Sequence, residues 1–231
     1  MAALSSPLPS RADGRAVRDA LAVHGAFGAI AVATLAVPVG DLGWRLLALV
    51  VLYAVALPVA GHWRGHADWV RLWAFLVPLS VFQVVPDAFL TAVLGVLDFP
   101  DTGGPRVWEV PLAMAGMWTV ALWPPLYAAD RLARGSLTRG TVWATVLVGM
   151  VLVVSEATLW AVPIWQASGV AMAGSIALYV VLPEVLLGAV AYVAYRSTIG
   201  KGLTTRVAAA ALVALVYLGA LAAAFLLVEG G

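Results

Sequence analysis

Three acidic residues stand inside apolar runs where an ionised side chain is costly. They are Asp87 in "VVPDAFLTAV", Glu156 in "VLVVSEATLW" and Glu184 in "YVVLPEVLLG". At a bilayer centre such a charge costs about 2.5–3.5 kcal/mol on insertion scales. A carboxyl group surrounded by hydrocarbon therefore keeps its proton at neutral pH, and what it can do is give that proton away or take one back. Asp87 has company: Ser80, Gln83, Asp87 and Thr91 recur at helical spacing and form one polar stripe. That stripe is expected to face other helices or a cavity, with Gln83 among the substrate-facing groups. Pro86 and Pro183 directly precede Asp87 and Glu184. Each removes a backbone donor and predicts a break beside an acid, which at membrane depth occurs where the chain lines a cavity. Packing alone can also retain a protonated acid between helices, but three at similar depth favour a shared polar pocket built from Asp87, Glu156 and Glu184.

The elements that hold these acids are membrane spans. Of 231 residues 63% are hydrophobic and 11% charged, against roughly a quarter charged in soluble domains. Apolar runs of about 20 residues, the length of a hydrocarbon core, predict seven helices in an all-α bundle. Their expected limits are Ala20–Val39, Leu46–Ala60, Val70–Leu97, Val110–Ala129, Thr141–Trp160, Val170–Tyr195 and Val207–Val228, with loops no longer than about a dozen residues. Residues 1–19 read as a polar cytoplasmic tail and 20–231 as the transmembrane domain. Of the 13 basic residues, all but Arg45 and Arg106 then fall on one side. That asymmetry predicts N-in, C-out insertion in the cell's inner (plasma) membrane.

Helix pairs three-four and five-six echo one another as a degenerate parallel repeat. "PDAFL" and "SEATL" are offset by 69 residues, and both are followed by a proline- and aromatic-bearing turn, "LDFPD" and "VPIWQ". Such a repeat has its axis along the membrane normal. The stretch "GSIALYVVLPEVLLGAVAYVAYR", with the aromatic turn before it, resembles the small membrane-embedded lycopene cyclase domains of carotenoid biosynthesis. The likeness is clearest over Asp87–Arg196. It departs where that family pairs glutamates, since Glu184 is followed here by Val185.

The resemblance implies a non-redox acid–base enzyme, an isoprenoid cyclase or isomerase, acting without a cofactor on a lipid-soluble substrate. One of Asp87 and Glu184 would protonate a double bond and Glu156 would act as its counterpart. Aromatic faces would shield the cation; Trp118, Trp160, Trp165, Tyr179 and Tyr192 are the candidates. Glu184, Gly188 and Tyr192 share a helical face, and Gly188 is expected to leave a gap beside the acid.

Other classes compete. A carboxyl-lined cavity also suits a proton-coupled carrier or a small-molecule binding protein. His62 and His66, spaced i, i+4 in "GHWRGHADW", and His24 suggest a metal site at the cytoplasmic face, although loop histidines at a headgroup interface are commoner and no metal is expected. The absence of cysteine removes thiolate chemistry and disulfides. A net charge of +1 argues against a nucleic-acid partner and leaves membrane lipids and a lipid-soluble substrate. The single lysine, Lys201, lies in a loop, so a retinal Schiff base is excluded.

Overall fold

A computed structural model of the protein describes residues 11–37, 39–158 and 161–230. Among the described residues are seven helices: α1 (Arg11–Ala36), α2 (Leu42–Arg64), α3 (Ala67–Val93), α4 (Met114–Ala133), α5 (Leu137–Ala157), α6 (Leu178–Ser197) and α7 (Leu203–Glu229). All except α4 are long and apolar enough to cross a membrane, so the chain is a multi-pass membrane protein. Pro124, Pro125, Tyr127, Asp130 and Arg131 lower the hydropathy of α4. Its length still matches its neighbours, and it lies between α3 and α5. Ion pairs tie the helix ends together at one end of the bundle. Arg131 near the end of α4 meets Asp68 at the start of α3, and Arg196 near the end of α6 meets Asp130 of α4.

Helices α3 to α7 close a ring, each packing on the next and α7 returning to α3. Outside it, α2 rests on α3 and α4, and α1 rests on α2. Small residues set the closest approach, as expected where helices associate without water to expel. A Cβ added at Gly188 would lie 2.6 Å from the Ala144 carbonyl oxygen and 2.9 Å from Val148 Cβ, and one at Gly149 would lie 2.9 Å from Val185 Cγ2. Gly188 is thus the contact point of α5 and α6. The gap expected beside Glu184 at that position is filled by the neighbouring backbone.

Several limits differ from the expected ones. Helix α1 begins at Arg11, within the stretch read as tail. Helix α2 runs on through His62 to Arg64, where Gly65 (φ 75°) ends it and donates its N–H to the carbonyls of Gly61 and His62. The histidine-bearing segment is consequently a helix end and a tight turn. Residues 94–113 and 158–177 are longer connections than a dozen residues, and each folds into strands. Strand β1 (Leu97–Asp98) pairs antiparallel with β4 (Gln166–Ala167), Leu97 opposite Ala167 and Asp98 opposite Gln166. Hairpins follow each: β2 (Arg106–Val107) with β3 (Val110–Pro111), and β5 (Met172–Ala173) with β6 (Ile176–Ala177). Val170–Ala177, read from sequence as helix, is hairpin instead because Gly169 and Gly174 adopt positive φ (70° and 65°).

The two proline expectations divide. In α3 the regular helix is interrupted at Gln83, restarts at Val84, and passes into a π turn over Phe89–Val93, two residues after Asp87. Such turns arise where the i→i−4 ladder is disturbed. Helix α6 contains Pro183 without interruption, as α2 contains Pro58 and α4 Pro124 and Pro125.

Candidate functional site

At the strand-bearing end of the ring lies a cavity of about 110 Å³. Every helix of the ring lines it, and Asp87 of α3, Glu156 of α5 and Glu184 of α6 all face it. Trp118 comes from α4, Tyr217 from α7, Tyr179 from α6, and Trp165 from the loop before β4. Leu97, Phe99 and Ala167 close the end beneath the β1–β4 pair. Apolar atoms make up most of the wall.

The acids are held differently. Asp87, 5% exposed, takes a long hydrogen bond from Trp118 Nε1 at its Oδ2 (3.5 Å). Glu156, half-buried at the end of α5, accepts at Oε1 from Trp165 Nε1 (2.8 Å). Its backbone carbonyl accepts from Ser175 Oγ (2.6 Å), which ties the helix end to the β5–β6 turn. Glu184, 5% exposed, has no hydrogen-bond partner for Oε2. No lysine, arginine or histidine is among the described lining residues.

At the opposite end of the bundle the arrangement is reversed. Asp19 meets Arg64 (2.7 Å) and His66 Nε2 (2.8 Å), Asp68 meets Arg131, and Asp130 meets Arg196 (2.6 Å) and the Tyr192 hydroxyl (3.0 Å). Acids with cations beside them are structural ties between helices. The cavity acids have indole N–H groups or nothing, an arrangement suited to holding and moving protons and not to fixed charge.

The structure brings Asp87, Glu156, Glu184, Trp118, Trp165 and Tyr179 to this one cavity. Gln83 and Tyr192 are elsewhere. Gln83 is fully buried one turn below Asp87, and neither of its amide atoms has a partner. Tyr192 sits two turns from Glu184 toward the opposite end, packed against Gly140 and bonded to Asp130. Trp160 lies outside the described residues. Tyr217 is a cavity residue that sequence reasoning missed, although its hydroxyl in an otherwise apolar α7 was a usable signal. It meets Trp118 edge-to-face at 5.7 Å, and Tyr179 meets Phe225 likewise at 5.7 Å.

The histidines do not converge. His24 bonds the Tyr53 hydroxyl (2.9 Å) and stacks on Trp123, while His66 is engaged by Asp19. Among the described residues, no three His, Cys, Asp or Glu side chains are grouped to hold a metal ion.

Residues 84–228 match a family model described as a domain of unknown function, DUF6989. The chain belongs to the DUF6989 family. The matched segment starts three residues before Asp87 and contains every residue lining the cavity; α1, α2 and most of α3 precede it. No curated protein matches the chain, a lycopene cyclase included, and no solved structure matches it.

Proposed function

We propose that this DUF6989 protein is a membrane-embedded acid–base enzyme of the isoprenoid or carotenoid cyclase type, rearranging a lipid-soluble polyene without a redox cofactor. The observation that carries the reading is three carboxyl groups without a cation, facing one apolar cavity whose wall is otherwise aromatic and aliphatic. Protonating an alkene needs an acid in a dry site; the ensuing cation needs aromatic faces and no water; finishing the reaction needs a base. Asp87, Glu156 and Glu184 supply the acid and base groups, while Trp118, Trp165, Tyr179 and Tyr217 supply the faces. At about 110 Å³ the cavity is smaller than a pocket that encloses a whole drug-sized ligand, so the reading places only one end of the isoprenoid in it.

The register of the β1–β4 pair supports the repeat read from sequence. Adding 69 to Leu97 and Asp98 gives Gln166 and Ala167, and each residue pairs with the counterpart of its neighbour. That is the pattern of a two-fold axis passing between the strands. With the basic end cytoplasmic in the plasma membrane, the axis runs along the membrane normal and the cavity opens in the outer half.

Co-expression with lycopene or another acyclic prenyl substrate, followed by extraction and chromatography, tests the proposal. A cyclised or double-bond-shifted product that disappears with Glu184→Gln and Asp87→Asn supports it. Unchanged substrate combined with proton-dependent uptake of a small molecule into vesicles would replace it with a carrier.

A further inference from the structure

We infer that Glu184 is the proton donor of this site and Glu156 its terminal base, with Trp165 the positioning residue that fixes Glu156 in that role. The assignment rests on the acid–base reading above, and goes beyond it by choosing Glu184 over Asp87 as the donor and by giving Trp165 a role.

The division follows from what faces each oxygen. An indole N–H donates and never accepts. Glu156 Oε1, 2.8 Å from Trp165 Nε1, is therefore an acceptor in any protonation state. A donor aimed at a carboxylate stabilises its charge and leaves the second oxygen free to take a proton. Glu156 is also the least buried of the three. Glu184 has the opposite surroundings. Its Oε2 is buried with no donor and no cation to compensate a charge. A carboxyl group so placed is stable as the neutral acid, and the residue lines the cavity that an alkene would enter.

The steps then balance within the site. The alkene π pair takes the Glu184 proton, forming a C–H bond, a tertiary cation and the Glu184 carboxylate. The π pair of a second double bond attacks the cation, closing a C–C ring bond and moving the positive charge along the chain. Glu156 removes an adjacent proton, and the electrons of that C–H bond form the new double bond. Substrate and product are isomers. Between turnovers Glu156 releases its proton to solvent and Glu184 takes one from solvent, so no oxidant, reductant or co-substrate is consumed.

Infrared spectroscopy of the purified full chain in lipid nanodiscs tests the assignment without any substrate. At neutral pH the carbonyl stretch of a protonated carboxylic acid is expected in the wild type. Glu184→Gln abolishes this band, whereas Glu156→Gln and Asp87→Asn retain it. A band that survives Glu184→Gln, or is lost with Glu156→Gln, overturns the assignment, as does its absence from the wild type. A second arm reads chemistry in D2O with an acyclic prenyl substrate. Glu184→Gln leaves the substrate without deuterium. Glu156→Gln still admits deuterium but releases products with displaced double bonds. Trp165→Phe keeps the ring, loses the N–H, and changes the ratio of double-bond isomers while sparing the infrared band. An unaltered isomer ratio in Trp165→Phe removes its positioning role. Should the wild type convert no prenyl substrate, the enzymatic reading falls, and the infrared arm still reports which carboxyl group carries the proton.

Discussion

Indole N–H groups mark two of the three cavity acids as hydrogen-bond acceptors and leave Glu184 without one at Oε2. Activity should follow that difference. Replacing Glu184 by Gln is expected to lower product formation by about 10²-fold or more, the scale of a lost general acid, with the melting temperature unchanged in detergent. An equal loss of folding and activity would make the residue structural. The three acids were legible in the sequence because an acid in an apolar run is conspicuous. Tyr217 was not singled out, since a lone tyrosine in a span is also ordinary packing. Gln83 and Tyr192 share a helical face with an acid, but a face does not reveal which turn lies at cavity depth. The structure places each of them at a different level from the cavity.

Helix junctions determine where those side chains end up. Gly188 meets the Ala144 carbonyl across the α5–α6 interface, so Gly188→Leu must push the helices apart. The expected cost is about 1–3 kcal/mol, the usual range for overpacking, measured as a lower melting temperature in detergent. An unchanged melting temperature would contradict the packing described. At α3, Pro86 withholds a donor from the turn before Asp87, and the π turn follows. Pro86→Ala restores the donor and is expected to hold or raise stability while reducing product yield, because Asp87 shifts relative to Trp118. Full activity in this variant would remove any role for the break. Seven helices were readable from apolar runs and basic ends. The strands of 94–113 and 158–177 were not: each is two residues long, too short for alternation to show, and Val110–Pro111 and Val170–Ala177 carry on the hydropathy of the helices they precede.

At the scale of the molecule, a five-helix ring carries the cavity and two further helices lean on its side. One end is tied by carboxylate–cation pairs and the other by the β1–β4 pair and by Glu229, whose Oε1 accepts from the Ala171 N–H (2.9 Å). Because the chain has no cysteine, single cysteines report sidedness without background. Asp101→Cys should react with an impermeant maleimide from outside intact cells, and Arg134→Cys only after the membrane is opened. Labelling of both from outside would mean that α4 does not cross. Mass spectrometry of lycopene incubated in D2O with the purified protein reads the proton transfer itself. A cyclised product carrying one solvent deuterium for each ring formed is expected, and none with Glu184→Gln. Lycopene recovered unchanged, or a cyclised product free of deuterium, would contradict the proposed chemistry.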